Sequence, residues 1–186
     1  MADCDNDRFL PIHAPTITMI VICGVTGSGK TRIASQLAHE LGWHYIEGDD
    51  YHPAVNIEKM RRGMPLSDDD RRPWLDALAH DLARLAIRGL SFVATCSALK
   101  RDYRDRLRSV VPGIVFIQLA VAPDVLQKRV EARSNHFAGA NLIDCQLMIF
   151  ETLSTDEGLI IDATGEIEDI VTIIRKKLIK DGIEAD

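Results

Sequence analysis

The stretch GVTGSGKT at residues 24–31 constrains the fold of this chain more than any other. Gly24, Gly27 and Gly29 allow backbone conformations that a Cβ resists. Successive amide N–H groups can then converge on phosphate oxygens at the start of a helix. Val25, Thr26 and Ser28 complete a G-x-x-x-x-G-K-[ST] spacing, in which Lys30 reaches the β- and γ-phosphates of a nucleotide and the Thr31 hydroxyl binds magnesium. Such a loop needs a strand before it and a helix after it. TITMIVIC, residues 16–23, is short, apolar and β-branched, as in a strand buried on both faces. Downstream, Ile33, Ala34, Leu37, Ala38 and Leu41 recur at helical spacing, and Gly42 follows where a helix would stop. A glycine-rich turn that binds nothing would not require this order.

The alternation continues along the chain. WHYIEG (43–48), LSFVATC (90–96), IVFIQLA (114–120) and LIIDA (159–163) complete a set of about five strands. Helical patterns lie between them. One opens at SDDDRRPW, with acidic residues and an early Pro73, both favourable at a helix N-terminus. Its Trp74, Leu75, Leu78, Leu82 and Leu85 form an apolar stripe ending at Gly89, so Trp74 reads as core. Pro123 opens another helix, with Val125, Leu126 and Val130 on one side, and the last helix runs over about 167–178. The pattern predicts an α/β, three-layer fold: a parallel sheet with helices on both faces. Ligands of such sheets bind beyond the carboxyl ends of the strands.

A length of 186 residues suits one domain, here 17–186 after a loose polar leader at 1–16. A net charge of −6 argues against extended nucleic-acid binding. No apolar run approaches the ~18 residues of a membrane span, and the leader lacks a signal or transit pattern. Cys4, Cys23, Cys96 and Cys145 are scattered without a C-x-x-C pair, which disfavours a metal centre or disulfide framework. Cys23 and Cys96 end apolar runs, as small buried thiols do. The expectation is a cytoplasmic protein with no nucleic-acid or membrane partner.

Candidate chemistry clusters at the strand ends. EGDDYHP (47–53) places Asp49 beside the phosphate-binding loop. A carboxylate there can accept a proton from an attacking hydroxyl, or orient water on magnesium; the bland alternative is a turn. His52 could hydrogen-bond a polyol, or cap a helix at the surface. CSALKRDYRDRLR (96–108) has no acidic residue at the tip of its strand, which shifts the magnesium shell onto Thr31 and Asp49. Ser97 and Lys100 would line the crevice, while Arg101, Arg104, Arg106 and Arg108 read for the most part as a solvated helix face. Arg129 and Arg133 lie one helical turn apart. They could clamp phosphates in a transition state, or pair with Glu131 or solvent. SNHFAGAN suits a lid over about 133–143 that excludes water.

Over roughly residues 19–178 the chain resembles the gluconokinase family of small P-loop sugar-acid kinases, relatives of shikimate and adenylate kinases. The resemblance rests on GVTGSGKT, GDDYHPAVNIEKM, GMPLSDDDRRPWL, CSALKRDYRDRLR, and RSNHF with CQ after it. The phosphate loop alone marks nucleotide binding; HP-x-x-N-x-x-KM, PL-x-D-x-DR-x-PWL and CSALK-x-x-YR are far more specific. This family membership would imply transfer of the ATP γ-phosphate, with Mg2+, to the 6-hydroxyl of D-gluconate, by a homodimer in many members. It assigns catalysis to Lys30, Asp49, Arg129 and Arg133, and acceptor binding to a segment at about 50–75. Asp49, His52, Asn56, Lys59, Asp70, Arg71, Ser97 and Lys100 fall within the matching motifs and suit an anion bearing several hydroxyls. Some positions depart from the family pattern. Asn135 replaces a lid glycine, Cys145 a small hydroxyl residue and Leu147 a Phe, while Glu166 stands where Pro is common. These bear on lid closure and nucleotide preference. Phosphorylation of another small acceptor, or a nucleotide-dependent switch without turnover, are the competing readings.

Overall fold

The computed structural model describes residues 17–132 and 139–183. The leader, Arg133 and the first half of the expected lid lie outside the described residues. Five strands, β1 (Met19–Cys23), β2 (His44–Ile46), β3 (Phe92–Thr95), β4 (Val115–Ala120) and β5 (Gly158–Asp162), form one sheet in the order β2-β3-β1-β4-β5. Every pairing is parallel. The expected α/β architecture is therefore present, with β1 central and its loop emerging at the carboxyl edge.

Helices cover both faces: α1 (Lys30–Leu41), α2 (Ala54–Arg61), α3 (Asp68–Ile87), α4 (Arg101–Val110), α5 (Pro123–Glu131), α6 (Gly139–Met148) and α7 (Ile167–Lys180). The strand period of two divides the core. Ile20 and Ile22 pack with Ile33 and Leu37 of α1 and with Ile170 and Ile174 of α7. Val21 and Cys23 join Trp74, Leu78 and Leu82 of α3, Leu107 of α4 and Leu126 of α5. Trp74 is core, as its stripe predicts.

Local signals set the helix ends. Gly42 caps α1 in the left-handed conformation, φ 66°. Ser67 and Asp70 form a reciprocal capping box at the start of α3. Because that box begins the helix at Asp68, Pro73 sits inside α3 rather than in its first turn, where the missing N–H costs nothing.

After β2 the chain makes a short 3-10 turn, Gly48–Tyr51. This turn lies directly on β3. A Cβ at Gly48 would collide with the Thr95 carbonyl oxygen, and Gly48 N–H donates to Thr95 Oγ1 at 2.9 Å. Replacement of Gly48 by Ala is expected to lower stability by about 3 kcal/mol through overpacking. Urea unfolding would show the midpoint falling; an unchanged midpoint would mean that the turn relaxes freely off the strand.

Candidate active site

The loop leaving β1 folds back over the start of α1. A Cβ at Gly27, φ 81°, would meet Val130 Cγ2 at 2.9 Å, so the loop packs closely against α5. Lys30 Nζ donates to the Val25 carbonyl at 3.1 Å. Burial lowers the Lys30 pKa while Asp49 draws it upward, which places the two groups within electrostatic reach of each other. Ser28 Oγ is buried with no hydrogen-bond partner among the described residues, a common feature where a ligand completes a site. Thr26 N–H donates to Gln146 Oε1 of α6 at 2.7 Å.

A cleft of about 410 Å3 opens beside Gly27, Ser28 and Gly29, walled by Arg32, Arg129, Thr164 and Glu166. Arg129 Nη2 donates to the carbonyls of Ala163 and Thr164 at 3.0 and 3.2 Å. Its guanidinium thus belongs to the wall built by the loop after β5. Of the expected two-arginine clamp, Arg129 sits here and Arg133 lies outside the described residues.

The carboxylates come from the end of β2. Asp49 stands in the 3-10 turn, exposed at the crevice. Partial desolvation raises its pKa above the ordinary range, Glu47 and Asp50 add to the rise, and the Lys30 charge opposes it. Glu47 was not anticipated. It accepts hydrogen bonds from Thr95 Oγ1, Tyr45 Oη and Asp49 N–H, and the nearby Thr31 hydroxyl adds to their effect on its charge. Burial alone would raise its carboxyl, but these donors outweigh it and hold the group ionised. The β2–β3 register pairs Ile46 with Ala94, so Glu47 arrives beside Thr95. The acidic group missing from the tip of β3 is supplied by the neighbouring strand. Thr31, Glu47 and Asp49 offer hard oxygen donors to a magnesium ion that keeps waters and takes its remaining contacts from phosphates; the residues fit that ion.

A second polar cluster joins the first turns of α3, the turn after β2 and the loop after β3. The His52 ring stacks on Trp74, centroids 4.1 Å apart at 16°. Trp74 Nε1 in turn donates to the Gly48 carbonyl at 2.7 Å, so one indole fixes both His52 and the turn carrying Asp49. Asn56 Nδ2 donates to the Asp70 carbonyl at 2.7 Å and faces His52 Nδ1 at 3.5 Å. Arg71, buried, donates to Tyr103 Oη at 3.3 Å. Lys100 pairs with Asp68 at 2.8 Å, and Tyr103 Oη also donates to Asp68. Ser97 joins the site through its carbonyl, which accepts from Gly24 N–H at 3.2 Å.

Two expectations change in the light of these contacts. The carboxylate of Asp70 is engaged by Lys59 at 2.6 Å and by Ser67 in the capping box, so Asp70 and Lys59 also organise the helix start, as Lys100 and Asp68 do through their own pair. Arg104 is not on a solvated face: it is buried and bound to Glu157. Its signal was present, because Arg104 falls at helical spacing with the apolar Leu107 and Val111.

Burial, with the Arg71 charge adding to it, pushes the His52 pKa down to about 4. His52 is therefore neutral at pH 7 and able to donate or accept toward a hydroxyl. The unfolded chain takes up a proton near pH 6.5, so this group favours the folded state above that value and loses its contribution as pH falls toward 4. Between those limits wild type should lose up to about 3 kcal/mol more than a His52→Phe variant. Denaturant titrations at several pH values would show it; parallel curves would refute the burial of the ring.

Residues 19–164 match the family model described as AAA domain. The gluconokinase of Gluconobacter oxydans is 46% identical over 142 residues, covering 76% of this chain and 79% of that protein. The chain belongs to the gluconokinase family. A probable gluconokinase of Schizosaccharomyces pombe is 44% identical over 164 residues, covering 84% of each chain. Among solved structures, a gluconokinase from Sinorhizobium meliloti superposes with a TM-score of 0.77 at 35% identity, over 89% of this chain and 98% of that one. GVTGSGKT forms the phosphate loop; GDDYHP, the start of α3 and CSALK carry Asp49, His52, Asp68, Arg71 and Lys100.

Proposed function

We propose that this protein transfers the γ-phosphate of ATP to the 6-hydroxyl of D-gluconate, giving 6-phospho-D-gluconate and ADP. The observation that carries the reading is the position of Asp49. It stands in the turn that follows β2, within electrostatic reach of Lys30, and Trp74, which stacks on His52, holds that turn through the Gly48 carbonyl. The amides of residues 24–31 hold the triphosphate. Arg71 and Lys100 supply positive charge for the gluconate carboxylate, and His52, Asn56 and Ser97 face its hydroxyls.

Asp49 accepts the 6-hydroxyl proton as that oxygen forms its bond to the γ-phosphorus and the bond to the β-bridging oxygen breaks. Lys30 neutralises charge on the transferring group. Arg129 grips the nucleotide from the wall after β5. A magnesium ion held near Thr31, Glu47 and Asp49 would supply further charge neutralisation on the phosphates. No helix among the described residues is long and apolar enough to cross a membrane. Free, buried Cys23 and Cys96 support a cytoplasmic setting, and family membership supports a homodimer, which light scattering would test.

The decisive experiment is ADP release from Mg-ATP across a panel of gluconate, shikimate, nucleoside monophosphates and other aldonates. Gluconate should stimulate release far above the rest. Equal, low release with every acceptor would overturn the reading in favour of a nucleotide-binding switch.

A further inference from the structure

The β3–α4 loop, residues 96–100, is held by a polar brace that neither the nucleotide nor the acceptor site explains. Arg104 and Glu157 are each 1% exposed and pair through two hydrogen bonds, Nε to Oε1 at 2.7 Å and Nη2 to Oε2 at 3.1 Å. The remaining guanidinium nitrogen, Nη1, donates to the carbonyls of Ala98 at 3.0 Å and Glu151 at 3.1 Å. Ala98 has φ 39°, and it is the one non-glycine residue with positive φ among the described residues. That conformation is costly for a side chain with a Cβ and persists only when its surroundings over-determine it.

Three further bonds complete the brace. Glu151 N–H donates to the Leu99 carbonyl at 2.8 Å, Arg101 N–H to Glu151 Oε2 at 2.6 Å, and Ser154 N–H to Glu157 Oε2 at 3.0 Å. Burial would raise the Glu157 carboxyl, but Arg104 and Ser154 hold it down at about 2, so the pair is ionic at working pH. The braced loop has two outputs. Ser97 offers its carbonyl to Gly24 N–H, the first amide of the phosphate loop. Lys100 and Tyr103 reach Asp68 at the start of α3.

We infer that Arg104 and Glu157 are positioning residues for phosphoryl transfer, locking Ala98 in its left-handed conformation so that the phosphate loop and the acceptor cluster keep a fixed separation. This rests on the proposed gluconate kinase reading. In-line transfer is sensitive to displacements of about 1 Å, enough to cost roughly a hundredfold in rate. A buried ion pair is not needed for stability alone, since an apolar pair of like volume often serves as well. Charge here fixes a shape. Arginine suits the task because its planar fork bonds a carboxylate and two carbonyls together, which a lysine ammonium cannot match.

The test compares wild type with Arg104→Lys and with the double replacement Arg104→Met/Glu157→Met, each measured for Tm, calorimetric affinity for ATP, and kcat and KM for gluconate. Gluconate-dependent ADP release by wild type is the control on the reading beneath; its absence would overturn that reading and, with it, a positioning role in this transfer, before any variant is compared. With wild type active, kcat/KM for gluconate should fall at least thirtyfold in both variants while ATP affinity stays within about threefold. Adding Ala98→Gly to Arg104→Lys should recover part of the loss, because glycine adopts the left-handed conformation unaided. A merely structural brace would lower Tm and leave kcat/KM per folded molecule within twofold, and that result would overturn the inference. Should the double replacement fail to fold, Arg104→Lys, with its charge retained, separates the two outcomes by itself.

Discussion

Replacing Lys30 by Ala is expected to lower kcat for gluconate phosphorylation by about a thousandfold, the scale on which one preorganised charge-stabilising group acts. The ammonium is tethered to the Val25 carbonyl and sits where burial lowers its pKa. A cation in such surroundings acts more strongly on developing phosphoryl charge than one in water. Because charge on the transferring group grows toward the transition state, turnover should suffer more than ATP affinity. Initial rates and calorimetry on the same preparation separate the two. Loss of ATP binding with kcat intact for the bound fraction would refute the assignment.

Asp49→Asn should cost about a hundredfold or more in kcat, the range for loss of a positioned general base, with KM for gluconate within a few-fold of wild type. The carboxylate must be ionised to take the proton, and its pKa is raised by desolvation and by Glu47 and Asp50. Wild-type kcat should therefore fall as pH drops through a value above the ordinary carboxylate range, and the variant should lack that acid limb. Stability should move the opposite way. A raised folded-state pKa means that the ionised form is disfavoured on folding, so Asn should raise Tm at pH 7, and the gain should vanish once both states are protonated. A variant with near-normal turnover would remove Asp49 from the chemistry.

The strands were legible because a parallel sheet covered on both faces writes near-continuous apolar runs. TITMIVIC, LSFVATC and IVFIQLA do so, and only their ends shifted by one to three residues. The phosphate loop was legible because its spacing along the chain is itself the signal, and Asp49 was singled out by its place after the second strand and by the family resemblance. What stayed hidden depends on who neighbours whom. Glu47 lay two residues before Asp49, yet its meaning came from β2 lying beside β3, which placed it against Thr95. Arg104 shared its helix with three other arginines, and its spacing to Leu107 and Val111 marked it as inward-facing; its partner Glu157, 53 residues away, was not legible. Arg129 kept its predicted helix but met the Ala163–Thr164 carbonyls, a partner 34 residues away in sequence.

The alternating side chains of β1 make the sheet a bulkhead between two compartments. Beneath α1 and α7, Ile20 and Ile22 back the nucleotide grip; on the other face Val21 and Cys23 back α3 and α4, beside the α5 residues Leu126 and Val130 that brace Gly27. Damage should stay where it is done. A void opened in the first compartment would slacken the hold on ATP and spare discrimination among acids, whereas one beneath α3 and α4, away from the contact of α5 with Gly27, would blur that discrimination at unaltered ATP affinity. Sugar preference can accordingly drift or be redesigned from one face alone.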